Sequence, residues 1–223
     1  MKIIHFEEIS STNKYIKENY DSLENFTFVV ADYQSDGKGR ENRSWISPSN
    51  ENLLFSFLIK DKKLFQDYKA LSIGTATLVG RFLEFIGIEN VMIKWPNDVY
   101  VNDKKICGIL LEGNIEKYIA LGVGLNVNQA TFKGEYRVTP TSIRKELGKD
   151  IDVESLKVLL FEFIMKHMNQ KGFKSHTLKF YQKHDYLLGK TVSISNITGK
   201  VQGITENFDL LIDDKIISSG EIN

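Results

Sequence analysis

The run V-M-I-K-W-P-N-D-V-Y-V-N-D-K-K-I-C-G-I-L-L-E-G-N, residues 91–114, holds three short apolar stretches separated by polar or imino breaks. Val91, Met92 and Ile93 read as a strand that Pro96 stops, because proline lacks the N–H a ladder requires. Residues 99–101 and 106–111 read as two more strands, with Asn102-Asp103 and Gly113-Asn114 as turn signals after them, and a further strand is expected at 118–127. Spacers this short leave no room for crossover helices, so neighbouring strands must pair as hairpins. The fold class that follows is α+β, with a mixed, mainly antiparallel sheet and packed helices.

Working outward, strands are expected at 3–6, 26–31 and 53–59, with a helix starting near Thr12. Leu71, Leu78, Phe82 and Phe85 recur at helical spacing, so residues 67–86 read as an amphipathic helix lying on the sheet. Leu156, Leu159, Leu160, Phe163 and Met168 mark a second long helix, and a shorter one is expected at 177–185. Beyond Gly189 the texture changes to short β-rich runs at 191–195, 200–205, 210–212 and 216–218, separated by Gly, Asn and Asp. A small β-barrel fits these runs, which puts a boundary at 187–189 and divides the chain into residues 1–186 and 187–223.

Q-S-D-G-K-G-R-E-N-R-S-W, residues 34–45, follows the β-like run Phe28, Val29, Val30 and brings three cations and two glycines into one loop. Gly37 and Gly39 allow main-chain N–H groups to approach an anion, while Lys38, Arg40 and Arg43 bring charge and paired donors. By itself such a loop is a solvated turn as readily as a phosphate cradle. Lys94, at a strand end beside Trp95 and a turn, can direct a point charge at one atom of a ligand. K-I-C-G-I-L-L-E at 105–112 and G-V-G-L-N-V-N at 122–128 add close backbone and amide side chains.

In this order and spacing the four stretches resemble the biotin protein ligase family, from Ser10 onward. Ser11-Thr12-Asn13 matches the family's opening S-T-N, whose hydroxyls bond the ureido ring of biotin. Residues 34–45 resemble its biotin-and-adenylate loop, and Lys94 to Asp98 matches its K-W-P-N-D stretch. Lys38 stands where the family usually has arginine, and Asn42 where it usually has glycine; Arg40, Arg43 and Trp45 match.

The resemblance implies a catalytic domain of the class II aminoacyl-tRNA-synthetase and biotin-ligase type, followed by an SH3-like barrel. It implies activation of biotin with ATP to biotinyl-5'-AMP, then transfer to a lysine of a biotin carboxyl carrier protein domain. Lys94 and Arg40 are the implied catalytic residues. Ser11, Thr12, Gln34, Gly37, Lys38 and Gly108 would contact biotin; Arg40, Arg43, Trp45, Asn97, Lys105 and Asn126 would contact ATP or the adenylate. Mg²⁺ is expected on the phosphates, held mainly by substrate. Some relatives carry an N-terminal DNA-binding domain; only nine residues precede Ser10 here, so a monofunctional ligase without DNA binding is expected.

Composition agrees. A chain of 223 residues can bury a full core in one or two domains, and a formal net charge of +0 gives no bulk attraction for nucleic acid. The single Cys107 excludes an internal disulfide framework, and no leader or membrane span is legible, which favours the cytoplasm. Cys107 and the four histidines show no metal spacing, so no protein metal site is expected. Gly122-Val123-Gly124 lacks the third glycine and following helix of a dinucleotide fingerprint. Ser11 and Thr12 also read as a helix cap, and Trp95 as core. Lipoate–protein ligase remains as a second enzyme reading, and a non-enzymatic binding module as a third. An apolar dithiolane has no need of Ser11, Thr12 and Gln34. Monomer and homodimer both stay open.

Overall fold

The computed structural model describes residues 1–65, 68–134 and 136–222. A seven-stranded sheet is built from β1 (Lys2–Ile9), β2 (Thr27–Gln34), β3 (Leu53–Ile59), β4 (Val91–Lys94), β5 (Asp98–Val101), β6 (Lys104–Asn114) and β7 (Tyr118–Leu125). Its order is β1-β2-β3-β7-β6-β5-β4. From β2 to β4 all pairings are antiparallel, as the hairpin spacing predicts. The exception is β1 with β2, which run parallel because helix α1 (Thr12–Asn19) carries the chain back between them.

Both faces of the sheet are covered. Phe28, Phe55 and Phe57 point to the main core, where Phe161 of α5 (Val153–Met168) stacks on Phe28 at 4.2 Å and lies 4.7 Å from Phe55. Val29 and Leu58 point the other way and pack with Ile16 of α1. The alternation is the two-residue period of the pleat.

Several boundaries differ from the sequence reading. The helix expected at 67–86 is α3 (Tyr68–Phe85), preceded by the short α2 (Lys62–Phe65); Asp67 lies outside the described residues. It is not one-sided: Ala70 through Gly80 are buried apart from Ser72, and Phe85 is 71% exposed. The reason is that α3 is enclosed by the sheet, by α5 and by α6 (Phe173–Lys183), so a wide arc of its surface is core. Gly113 and Asn114 belong to β6, and the turn falls on 115–117, where the Asn114 side chain accepts from Glu116 N at 2.9 Å. Phe26 sits outside β2 with φ 58, and β2 runs on to Gln34. The helix expected at 177–185 starts earlier and ends at Lys183, with His184 N bonded back to Tyr181 O at 2.9 Å. α4 (Ile143–Leu147), capped by Ser142 and left-handed Gly148, had no apolar period long enough to announce it.

The late β runs form a four-stranded antiparallel sheet in the order β11-β10-β9-β8, from β8 (Thr191–Ile194), β9 (Ile197–Ile204), β10 (Leu210–Ile212) and β11 (Lys215–Ile217). This is the small β module expected after Gly189. Trp95 Nε1 donates to Phe208 O at 2.9 Å, so the indole after Lys94 ties this module to the larger sheet.

Candidate active site

Sheet register assembles the site. Lys94 pairs with Asp98, Asp98 with Gly108, Gly108 with Gly124 and Gly124 with Leu54. Directly opposed residues share a face, so this row crosses five strands on the α1 side. Two residues further along, Ser56, Gly122 and Leu110 form a second row on the same face. Glycines in both rows leave a hollow where side chains would otherwise stand. Trp45 packs over Gly108 and Gly124 and Asn13 over Gly122, and a cavity of about 260 Å³ opens beside them.

At one end lies a compact polar group. Thr12 N and Oγ1 both donate to Gln34 Oε1, at 2.7 and 3.1 Å, and Thr12 Oγ1 meets Ser56 Oγ at 2.6 Å. Ser11 Oγ accepts from Lys14 N at 3.4 Å and caps α1. Ser11 thus caps α1 while also lining the cavity, and the Thr12 hydroxyl faces Gln34 and Ser56. Asn13, also buried, donates to Glu112 Oε2 at 2.8 Å, and Glu112 receives Lys17 Nζ at 2.6 Å.

At the other end lie the cations. Lys94 is half-buried, and burial pulls its ammonium below the usual lysine range; Asp98 opposes this, while Arg137 and Lys105 add to it. Its Nζ stands 5.6 Å from the centre of the Tyr100 ring. Lys105 Nζ pairs with Asp98 Oδ2 at 2.8 Å and lies 5.5 Å from the Trp45 ring centre. Arg40 donates to Asn97 Oδ1 at 3.4 Å, while Asn97 Nδ2 is fixed on Ile109 O at 2.5 Å. The loop closes on itself through Gly39 N to Arg43 O at 2.6 Å and Trp45 N to Gly37 O at 2.9 Å. Its left-handed residue is Glu41, at φ 54; the Asn42 side chain lies outside the described residues.

The Trp45 indole lies over the glycine row: a Cβ on Gly124 would stand 2.4 Å from it and one on Gly108 2.9 Å. Asn126 lines the cavity with its Nδ2 committed to Thr141 O at 2.9 Å. Ser11, Thr12, Gln34, Lys38, Arg40, Arg43, Trp45, Lys94, Asn97, Lys105, Gly108 and Asn126 all line this one cavity. Gly37 does not; a side chain there would press within 2.6 Å of Trp45 O, so it shapes the loop. Lys38 reaches the cavity while paired with Asp36 at 2.6 Å.

Sequence reasoning passed over Ser56, Phe132, Tyr136, Arg137, Glu221 and Ile222, all of which line the cavity. Ser56 had a signal: it is the one hydroxyl in the apolar strand L-L-F-S-F-L-I. Asn13 Oδ1, Trp45 Nε1 and Asp98 Oδ1 are buried polar atoms of this wall without a partner among the described residues. Such atoms are rare unless something else satisfies them, and three in one wall mark it as ligand-facing.

Residues 5–128 match the model of the biotin/lipoate A/B protein ligase family. The bifunctional ligase/repressor BirA of Bacillus spizizenii is 31% identical over 95% of this chain and 69% of its own length, and that of Escherichia coli is 28% identical over 96% and 71%. Among solved structures, the biotin protein ligase of Aquifex aeolicus in complex with biotin and ATP is 32% identical, with a TM-score of 0.88 over 100% of this chain and 97% of that one. This chain belongs to the biotin/lipoate A/B protein ligase family.

Proposed function

We propose that this protein is a biotin protein ligase, which activates biotin with ATP to biotinyl-5'-AMP and passes the biotinyl group to a lysine of a biotin carboxyl carrier protein domain. One observation carries the reading: a single cavity joins the neutral hydrogen-bonding group of Thr12, Gln34 and Ser56 to the cations Lys94, Arg40 and Lys105. A neutral urea-like ring suits the first end and an anionic phosphate the second. The same polar end favours biotin over lipoate, whose dithiolane offers those groups no hydrogen-bonding partner.

In the first step a carboxylate oxygen of biotin attacks the α-phosphorus, a P–O bond forms, and the bond to pyrophosphate breaks. Both reactants are anions, so a cation held beside the reacting atoms lowers the barrier. Lys94 takes this role. Asp98 opposes the pull of burial on its ammonium, and the hairpin register places the two opposite each other. Arg40 with Arg43 would hold the phosphate, Trp45 and Asn126 the nucleoside side, with Asn97 and Lys105 positioning Arg40 and Asp98. Ser11, Thr12, Gln34, Gly37, Lys38 and Gly108 would form the biotin side, Gly37 through its loop. In the second step the acceptor lysine amine attacks the acyl carbon and AMP leaves.

Mg²⁺ would neutralise the departing pyrophosphate. No cluster of three or more ligating side chains occurs among the described residues, so the ion fits if substrate oxygens hold most of it, with Asp98, whose Oδ1 is without a partner among the described residues, as a cavity-lining carboxylate. We assign residues 1–186 to catalysis and 187–223 to the SH3-like module; Asn223 lies outside the described residues. No helix among the described residues is long and apolar enough to cross a membrane. A cytoplasmic monomer or homodimer without DNA binding is the remainder of the proposal, supported by the unpaired Cys107 and the net charge of +0. ATP-dependent transfer of labelled biotin to a carrier domain tests the whole reading.

A further inference from the structure

Three arginines at the cation end converge on one short segment, residues 220–222. Arg40 Nη2 donates to Gly220 O at 2.9 Å, and Arg137 Nη2 donates to Ile222 O at 2.6 Å. Arg43 Nη1 and Arg137 Nη1 both pair with the same oxygen of Glu221, Oε1. Glu221 and Ile222 are themselves part of the cavity wall. A hydrogen bond with Glu41, and then Arg43 and Arg137, hold the Glu221 carboxyl below the usual range, while Glu41 is raised.

A carboxylate oxygen shared by two guanidinium groups is the arrangement a phosphate oxygen adopts. The arginines come from separate parts of the chain, the loop at 34–45 and the segment before Pro140, and Glu221 is what joins them. Both guanidinium side chains are about half exposed, Arg43 50% and Arg137 48%. Ion pairs so open to water contribute little to stability, so they can be exchanged for another anion at small cost.

We infer that Glu221 is an internal counter-ion that pairs with Arg43 and Arg137 and is displaced by the polyphosphate of the nucleotide. This rests on the ligase reading given above. Two anions cannot share the same guanidinium edges, so each bound phosphate releases the Glu221 carboxylate. The segment at 220–222 then moves with nucleotide occupancy, which couples the small β module to the adenylation site. A purely orienting Glu221 would do the opposite: it would hold the arginines ready, and its loss would weaken nucleotide binding.

Glu221→Gln keeps the shape and removes the charge. Calorimetric titration of the full chain with ATP alone, and separately with inorganic tripolyphosphate, distinguishes the two roles. Both ligands are expected to bind roughly tenfold more tightly to Glu221→Gln than to the parent, and the gain should shrink when Arg137→Gln is also present. Unchanged or weaker binding in Glu221→Gln, with normal binding by the parent, overturns the counter-ion and leaves the ligase reading intact. A parent that binds no ATP at all defeats both.

Discussion

The Trp45 indole rests on Gly124, where a Cβ would stand 2.4 Å from the ring. Two motifs 79 positions apart (124 − 45) thus form one surface, and the glycine is needed for the approach of a ring, since its own backbone is ordinary strand. Gly124→Ala is expected to push the indole off the sheet at a cost of about 1–3 kcal/mol in local packing, and to raise the ATP Kd about tenfold. Titration with ATP checks this, with a thermal melt as the control for folding. An unchanged Kd would remove Trp45 from the nucleotide side.

Lys94→Ala should lower the rate of adenylate formation by two to three powers of ten, on the order of 3–4 kcal/mol. Because burial disfavours the Lys94 ammonium, the substitution should not destabilise the fold. Biotin-dependent pyrophosphate exchange and a urea titration measure the two effects separately. Normal exchange would defeat the assignment of Lys94.

Thr12→Val removes a hydroxyl that meets both Gln34 and Ser56. Biotin should bind more weakly by roughly 1–3 kcal/mol, since buried polar groups lose a partner, and Thr12→Ser should restore most of it. Isothermal titration decides; equal biotin affinity in Thr12→Val would confine Thr12 to a structural role.

Much of this was legible because the signals are local. The apolar run of β3, the stop at Pro96 and the Ser11 cap each act over a few residues, and the structure repeats them. The burial of α3 was not, because Thr77 lies off the Leu71–Leu78–Phe82 stripe and is buried all the same, in a helix enclosed by the sheet, α5 and α6. The parallel β1–β2 pair was hidden for a similar reason, since each strand alone has the same pattern in either direction. For the site, the cations were readable as a loop, but Arg137 and Glu221 were not. Arg40 and Gly220 are 180 positions apart, and no local spacing announces such a contact.

Asp185 offers a pH test of the join between α6 and β4. Burial raises its carboxyl above the usual value, although Leu187 N and Tyr181 OH bond to it, and its Oδ2 is without a partner among the described residues. A raised folded pKa means that its stabilising contribution is present below the unfolded value, about 3.9, and is lost as pH rises through the folded value. Relative to Asp185→Asn, the parent should therefore lose stability between pH 4 and pH 7. Urea unfolding at both pH values reads this difference, and a pH-independent difference would contradict it.

Transfer of biotin to a carrier domain is the most direct test. Purified protein, ATP, Mg²⁺ and a biotin carboxyl carrier domain are incubated with biotin or with lipoate, and the carrier is weighed intact by mass spectrometry. The expected result is one biotinyl group on one lysine, dependent on ATP, absent with Lys94→Ala, and negligible with lipoate. A carrier that stays unmodified with biotin, or that takes lipoate as readily, would contradict the account.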